Sequence, residues 1–162
     1  MEENDDLQKL STLIKGIHIA MLSTIRDEKI HSRPMATSEL GEDGSLWFFT
    51  RSHSEKVEEV EKNATACLTY ADSHSNTYVA VVGKTELSQD RNKIHELWNP
   101  FVKAWFPNGP DDPEVSLLKF IPESAEYWDS SSNKMVVLFN MAKAALTGER
   151  YKEGEHGKFT LG

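Results

Sequence analysis

A mainly β fold with a few short helices, an antiparallel sheet closed into a small barrel, is the class this sequence predicts. Three observations predict it. Six or seven β-compatible runs follow one another in meander order, separated by short polar turns. The strand–helix alternation of a parallel sheet is missing. Four of the six prolines, Pro100, Pro107, Pro110 and Pro113, crowd one short stretch, where they forbid a long helix or a central strand.

Taken in order, Asp5 to Lys15 places Leu7, Leu10, Leu13 and Ile14 at helical spacing, with Gly16 as the stop. Ile17 to Ile25 and Lys29 to Glu39 read as a hairpin about the turn Arg26-Asp27-Glu28. Pro34 inside the second strand implies an edge position, a bulge or the start of a new pairing. Gly41-Glu42-Asp43-Gly44 turns the chain into a strand over Ser45 to Thr50. Ser52-His53-Ser54-Glu55 has the form of a capping box. The helix that follows has Val57, Val60 and Ala64 on one face and Glu58, Glu59, Glu61 and Lys62 on the solvated one.

Thr65 to Tyr70 and Thr77 to Leu87 are the next strands, with Gly83 as a bulge. Asp90 to Trp98 is a second amphipathic helix with Ile94, Leu97 and Trp98 inward. Asn99 to Pro113 reads as a packed loop with one short helical turn, because Trp105 and Phe106 need cover. Val115 to Ile121 and Ser124 to Asp129 read as two strands flanking Pro122. Lys134 to Phe139 is compatible with a strand, Met141 to Leu146 with a helical turn ended by Gly148, and Lys158 to Leu161 with a last strand. The whole of 1–162 is expected to be one domain, with a helix in 1–16 and an extension over 140–162.

Composition narrows the function. The chain has 162 residues, 38% hydrophobic and 27% charged, with 18 basic against 26 acidic residues and a net charge of −8. Such a surface repels nucleic acid and anionic lipid, so neither is an expected partner. The single cysteine, Cys67, rules out an intramolecular disulfide and a cysteine metal cluster. The six histidines show no ligand spacing, so no metal is expected. The N-terminus MEENDDLQKL is unlike a secretory leader, and no apolar run reaches membrane-span length; a cytoplasmic location is expected. Glycine-loop nucleotide motifs and the G-x-S-x-G elbow are absent. Chemistry supplied by a bound cofactor is the option that remains.

One stretch suits such a cofactor. His31 to Lys56 carries Arg33 at one end, Thr50, Ser52, Ser54 and Lys56 at the other, and Trp47-Phe48-Phe49 between. A helix N-terminus with free amides, a hydroxyl and an ammonium suits an anion, and the aromatics suit a flat ligand. The alternative is that Ser52 merely caps a helix while Arg33 and Lys56 stay solvated.

Ser32-Arg33-Pro34-Met35, Leu46-Trp47-Phe48-Phe49-Thr50, Ser54-Glu55-Lys56 and Glu126-Tyr127-Trp128-Asp129, in that order, resemble the pyridoxamine 5′-phosphate oxidase-like FMN-binding split-barrel family, in its general stress protein 26 branch. The segment Trp105 to Pro113 and its sequel Leu117-Leu118-Lys119-Phe120 resemble the same branch. The resemblance spans roughly Leu7 to Phe139. It implies a six-stranded antiparallel split β-barrel, a homodimer, and two flavin sites at the subunit interface, holding FMN, or FAD if the site is open past the phosphate.

By position, the resemblance sets Arg33 near the flavin phosphate and ring, and Pro34, Met35 and Ala36 along the isoalloxazine. Phe49 and Thr50 match an aromatic–threonine pair on the next strand, and Ser54 and Lys56 match the phosphate-binding turn. Glu126 and Trp128 approach from the partner subunit. Two departures stand out. The oxidases carry two adjacent basic residues in the turn, where this chain has Glu55 before Lys56. Nothing in Gly148 to Gly162 matches their substrate-holding arginine and histidine segment. The resemblance therefore implies a flavin-dependent oxidoreductase with a small-molecule electron donor or acceptor, or a flavin carrier in stress response, rather than a true pyridoxamine-phosphate oxidase.

Overall fold

A computed structural model describes residues 2–129, 134–148, 150 and 155–161. The elements are α1 (Glu2–Ile14), β1 (Ile19–Arg26), β2 (Lys29–Ala36), β3 (Glu39–Leu40), β4 (Leu46–Arg51), α2 (Glu55–Lys62), β5 (Thr65–Asp72), β6 (Thr77–Ser88), α3 (Arg91–Leu97), α4 (Pro100–Trp105), β7 (Val115–Asp129), α5 (Lys134–Thr147) and β8 (Glu155–Thr160). The fold is mostly β and antiparallel, as the sequence predicts. The strand count is eight among the described residues rather than six, because the pair β3 and the tail strand β8 join the sheet.

The strands lie in the order β2-β1-β5-β6-β7-β4-β3, with β8 also on β7. This corrects the expected simple meander, since β1 pairs with β5 and β4 with β7 across long sequence separations. It also corrects the expected closure. The hydrogen-bonded path ends at β2 and β3, which are not paired with each other, so the sheet is open. Pro34 sits on the terminal strand β2, the edge position its missing N–H requires.

Alternation builds the core. Ala20, Leu22 and Thr24 of β1, Leu46 and Phe48 of β4, Leu68 and Tyr70 of β5, and Val79 and Val81 of β6 turn inward, and Leu10, Leu13 and Ile14 of α1 pack on them. Gly16 leaves α1 at φ +86°, the left-handed stop a glycine takes most cheaply. A second cluster forms on the other side of β4 from Ile94, Val102, Phe106, Val115 and Leu117, with Trp47, Phe49 and Trp98 against it. The sheet's outer face is apolar and open: Ile19, Met21 and Ile25 of β1, Ile30 of β2 and Val82 of β6 are all substantially exposed.

Three further expectations change. The two strands proposed around Pro122 are one, β7, because the β6–β7 register shifts between Val82 and Gly83, with Gly83 opposite Pro122. Gly83 is obligatory there, since a Cβ would stand 2.1 Å from the Ile121 carbonyl oxygen. Lys134 to Phe139 is not a strand but the first half of α5, whose Leu, Met and Ala content favours a helix over its full length. Ser52 does not cap α2. Its hydroxyl instead donates to the Pro113 carbonyl at 2.8 Å and pairs with Ser116 Oγ at 2.6 Å, pinning the proline-rich loop to β4. No helix among the described residues is long and apolar enough to cross a membrane.

Candidate functional site

β4 delivers the chain to the start of α2, and the polar groups there are incomplete. Thr50 is 2% exposed, and its alternation places it on the same face as Phe48 and Leu46. Ser54 is the N-cap residue of α2, yet its side chain makes no capping bond; its carbonyl accepts from Val57 and Glu58 amides instead. Thr50 Oγ1 and Ser54 Oγ are the two buried side-chain polar atoms without a hydrogen-bond partner among the described residues. A buried hydroxyl left unpaired costs about 1–3 kcal/mol. Two such atoms close together at the β4–α2 junction leave hydroxyls open to an outside oxygen.

Positive charge gathers at the same place. Lys56 is half-buried in the first turn of α2, and its ammonium is held below the usual lysine range by burial first, then by the charges of Arg33 and Arg51. Arg51 follows Thr50 on β4, is exposed, and lies over the Phe106 ring at 5.9 Å. Arg33 reaches in from β2. Its Nη2 donates to Glu59 Oε2 at 2.6 Å, and its Nη1 donates to Thr24 Oγ1 at 2.6 Å and more weakly to the Leu22 carbonyl at 3.5 Å. An anion seated here would meet cations and unpaired hydroxyls together.

Glu59 is the residue that sequence reasoning misplaced. Assigned to the solvated face of α2, it is 3% exposed. Burial opposes its charge most strongly, but hydrogen bonds from Thr24 and Arg33, with the charges of Arg33 and His31, outweigh it and hold the carboxyl below its ordinary range. Its spacing held the signal. Glu59 stands three residues after Lys56, on the same side of the helix, and so shares that side with a site cation. Neither Arg51 nor Thr24 is singled out by sequence analysis.

The other expected residues separate. Arg33 and Met35 face inward from β2, whereas Pro34 and Ala36 lie on its exposed face. Phe49 points away from Thr50, into the second cluster, where it meets Trp98 edge-on at 5.9 Å. Glu126 and Trp128 lie on the outer face of β7. Glu126 accepts from His156 Nε2 at 2.8 Å and lies 3.4 Å from Lys158 Nζ, bonds that lower its carboxyl pKa, the one from His156 most. Trp128 stacks on the His156 ring at 5.1 Å with 6° between planes. Both partners come from β8, in the tail where no counterpart was recognised.

Register fixes how far apart these two groups are. Thr50 pairs with Ser116 near the start of β7. Glu126 lies ten residues further along the same strand, a path of up to about 33 Å at roughly 3.3 Å per residue. Glu126 and Trp128 therefore lie at the opposite end of β7 from Thr50.

Residues 5–152 match the family described as pyridoxamine 5′-phosphate oxidase like. General stress protein 26 of Bacillus subtilis is 25% identical over 142 residues, covering 85% of this chain and 99% of its own. A solved structure of general stress protein 26 type from Jannaschia sp. CCS1 superposes with a TM-score of 0.78 at 28% identity, covering 96% of this chain and 98% of that one. A second, described as the general stress FMN/FAD binding protein of Xanthomonas citri, gives 0.68 at 26% identity, covering 77% and 89%.

Proposed function

Because the chain belongs to the pyridoxamine 5′-phosphate oxidase-like family, we propose that it is a flavoprotein which holds FMN by its phosphate at the junction of β4 and α2 and serves as a flavin-dependent oxidoreductase. The observation that carries this reading is the pair of buried, unpaired hydroxyls, Thr50 Oγ1 and Ser54 Oγ, beside the half-buried Lys56 ammonium. A phosphate monoester fits that donor set: its oxygens accept from both hydroxyls, and its charge offsets Lys56, Arg51 and Arg33. Bound flavin supplies the redox chemistry through its isoalloxazine ring. The chain's own residues orient it. Arg33 and Lys56 fix the phosphate, and Met35 from the inner face of β2 flanks the path towards the ring.

The site is completed by a second copy of the chain. The exposed apolar face of β1, β2 and β6 needs cover. A face-to-face pair through it would bring Glu126 and Trp128 of one copy to the phosphate-binding turn of the other, the two groups lying at opposite ends of β7 within one chain. Small-molecule electron donors or acceptors then enter beside Trp128.

The test is direct. The purified chain should retain a flavin's visible absorbance through gel filtration, and sediment at dimer mass. FMN at a hundred times its dissociation constant should stabilise the fold by about 2.7 kcal/mol. An unchanged melting temperature at saturating FMN would sink the flavin reading. Bleaching by a nicotinamide donor separates an oxidoreductase from a carrier. Arg51, exposed beyond Lys56, favours a second reading in which a further phosphate and hence FAD is accepted. Competition between FMN and FAD for one site at similar affinity would support it.

A further inference from the structure

Arg33 is anchored more thoroughly than a ligand-binding arginine needs for its own sake. Glu59, buried at 3% exposure, accepts a hydrogen bond from Nη2, and Thr24 accepts one from Nη1. Thr24 itself donates to the same Glu59 oxygen, Oε2. Guanidinium, hydroxyl and carboxylate thus form a closed ring at the Nη1–Nη2 edge. Guanidinium has five N–H donors, and two parallel ones on one edge match the oxygens of a phosphate. Among the described residues Arg33 Nε makes no hydrogen bond, and Nη2 has one proton to spare. The Arg33 side chain is 21% exposed, so the guanidinium is not sealed into the core.

We propose that Glu59 is a positioning residue, which grips the Nη1–Nη2 edge of Arg33 and so presents the Nε–Nη2 edge to the phosphate of the bound ligand. The inference rests on the flavin reading above and goes beyond it by assigning a role to an acid that touches no ligand. An acid inside an anion site is otherwise self-defeating, since its charge repels the phosphate. It is accounted for if alignment of the fork is worth more than the repulsion it brings. Glu59 sits three residues after Lys56 on α2, so the same helix turn supplies one phosphate cation and aims the other.

Calorimetric titration of the full chain with FMN and with riboflavin, which lacks the phosphate, tests this. Glu59→Ala and Arg33→Ala should each weaken FMN about tenfold or more, the scale of one charge-assisted hydrogen bond, with riboflavin within about threefold. The double variant should be no worse than either single, because both act on one contact. Glu59→Gln keeps an oxygen acceptor in place and should stay within about threefold of the unmodified chain. Thr24→Val breaks the ring without leaving a charge unpaired, so it is expected to fold even where Glu59→Ala does not. It should weaken FMN selectively. FMN binding that is unchanged or tighter in Glu59→Ala, losses that add in the double variant, or an unaltered FMN-to-riboflavin ratio in Thr24→Val would each overturn the inference. An unmodified chain that binds neither flavin removes the flavin reading as well.

Discussion

The two ends of β7 carry opposite kinds of polar surface. At its start, opposite β4 and the head of α2, hydroxyls are buried and unpaired and cations crowd together. At its far end Glu126, His156, Lys158 and Trp128 are exposed or partly exposed and engaged with one another. The first arrangement is open to an outside anion. The second has partners of its own and offers an aromatic surface to lie against. Unpaired buried groups mark where a ligand's charged end goes, and satisfied exposed ones mark what the ligand lies against.

Three substitutions sharpen or break that contrast. Lys56→Ala should have the largest effect, weakening FMN roughly 10- to 100-fold, the range of a shielded charge-assisted hydrogen bond, and leaving riboflavin nearly untouched. Equal losses for the two ligands would mean that Lys56 does not meet the phosphate. Trp128→Ala acts on the aromatic surface instead. It should weaken FMN and riboflavin alike by about 2- to 10-fold, as expected of one aromatic contact. A loss confined to FMN would merge the two regions into one and end the comparison.

Thr50→Val has an effect on binding no larger than that of Trp128→Ala, and the most telling sign. Replacing an unpaired buried hydroxyl with a methyl should leave the ligand-free chain as stable or about 1 kcal/mol more so, while FMN weakens by about 2- to 10-fold. Thermal unfolding with and without FMN measures both. A variant less stable alone and unchanged in FMN binding would show that Thr50 Oγ1 is satisfied in solution without a ligand.

Strand type was legible in the sequence wherever one face is buried. Thr65 to Tyr70 and Thr77 to Leu87 alternate as they read, and Gly83 is the bulge. Errors came where pattern is ambiguous. Lys134 to Phe139 is a short apolar run that strand and helix share, and only the continuation through Ala144 and Ala145 favours the helix. Ser52 and Ser54 both precede Glu55 and both look like caps. Ser52 is drawn off to Ser116 and the Pro113 carbonyl, partners more than sixty residues away.

The sequence by itself determined a mostly β chain, the inward and outward faces of its strands, and the closeness of Thr50, Ser54 and Lys56 at the head of α2. Those follow from local periodicity and from side-chain chemistry. Tertiary structure alone decided that Glu59 is buried against Arg33 and Thr24, that Thr50 and Ser54 lack partners, and that Glu126 lies at the other end of β7 from them. Each depends on which strands pair. Pairing of β1 with β5 and β4 with β7 is set by packing between segments distant in sequence, which no local pattern encodes.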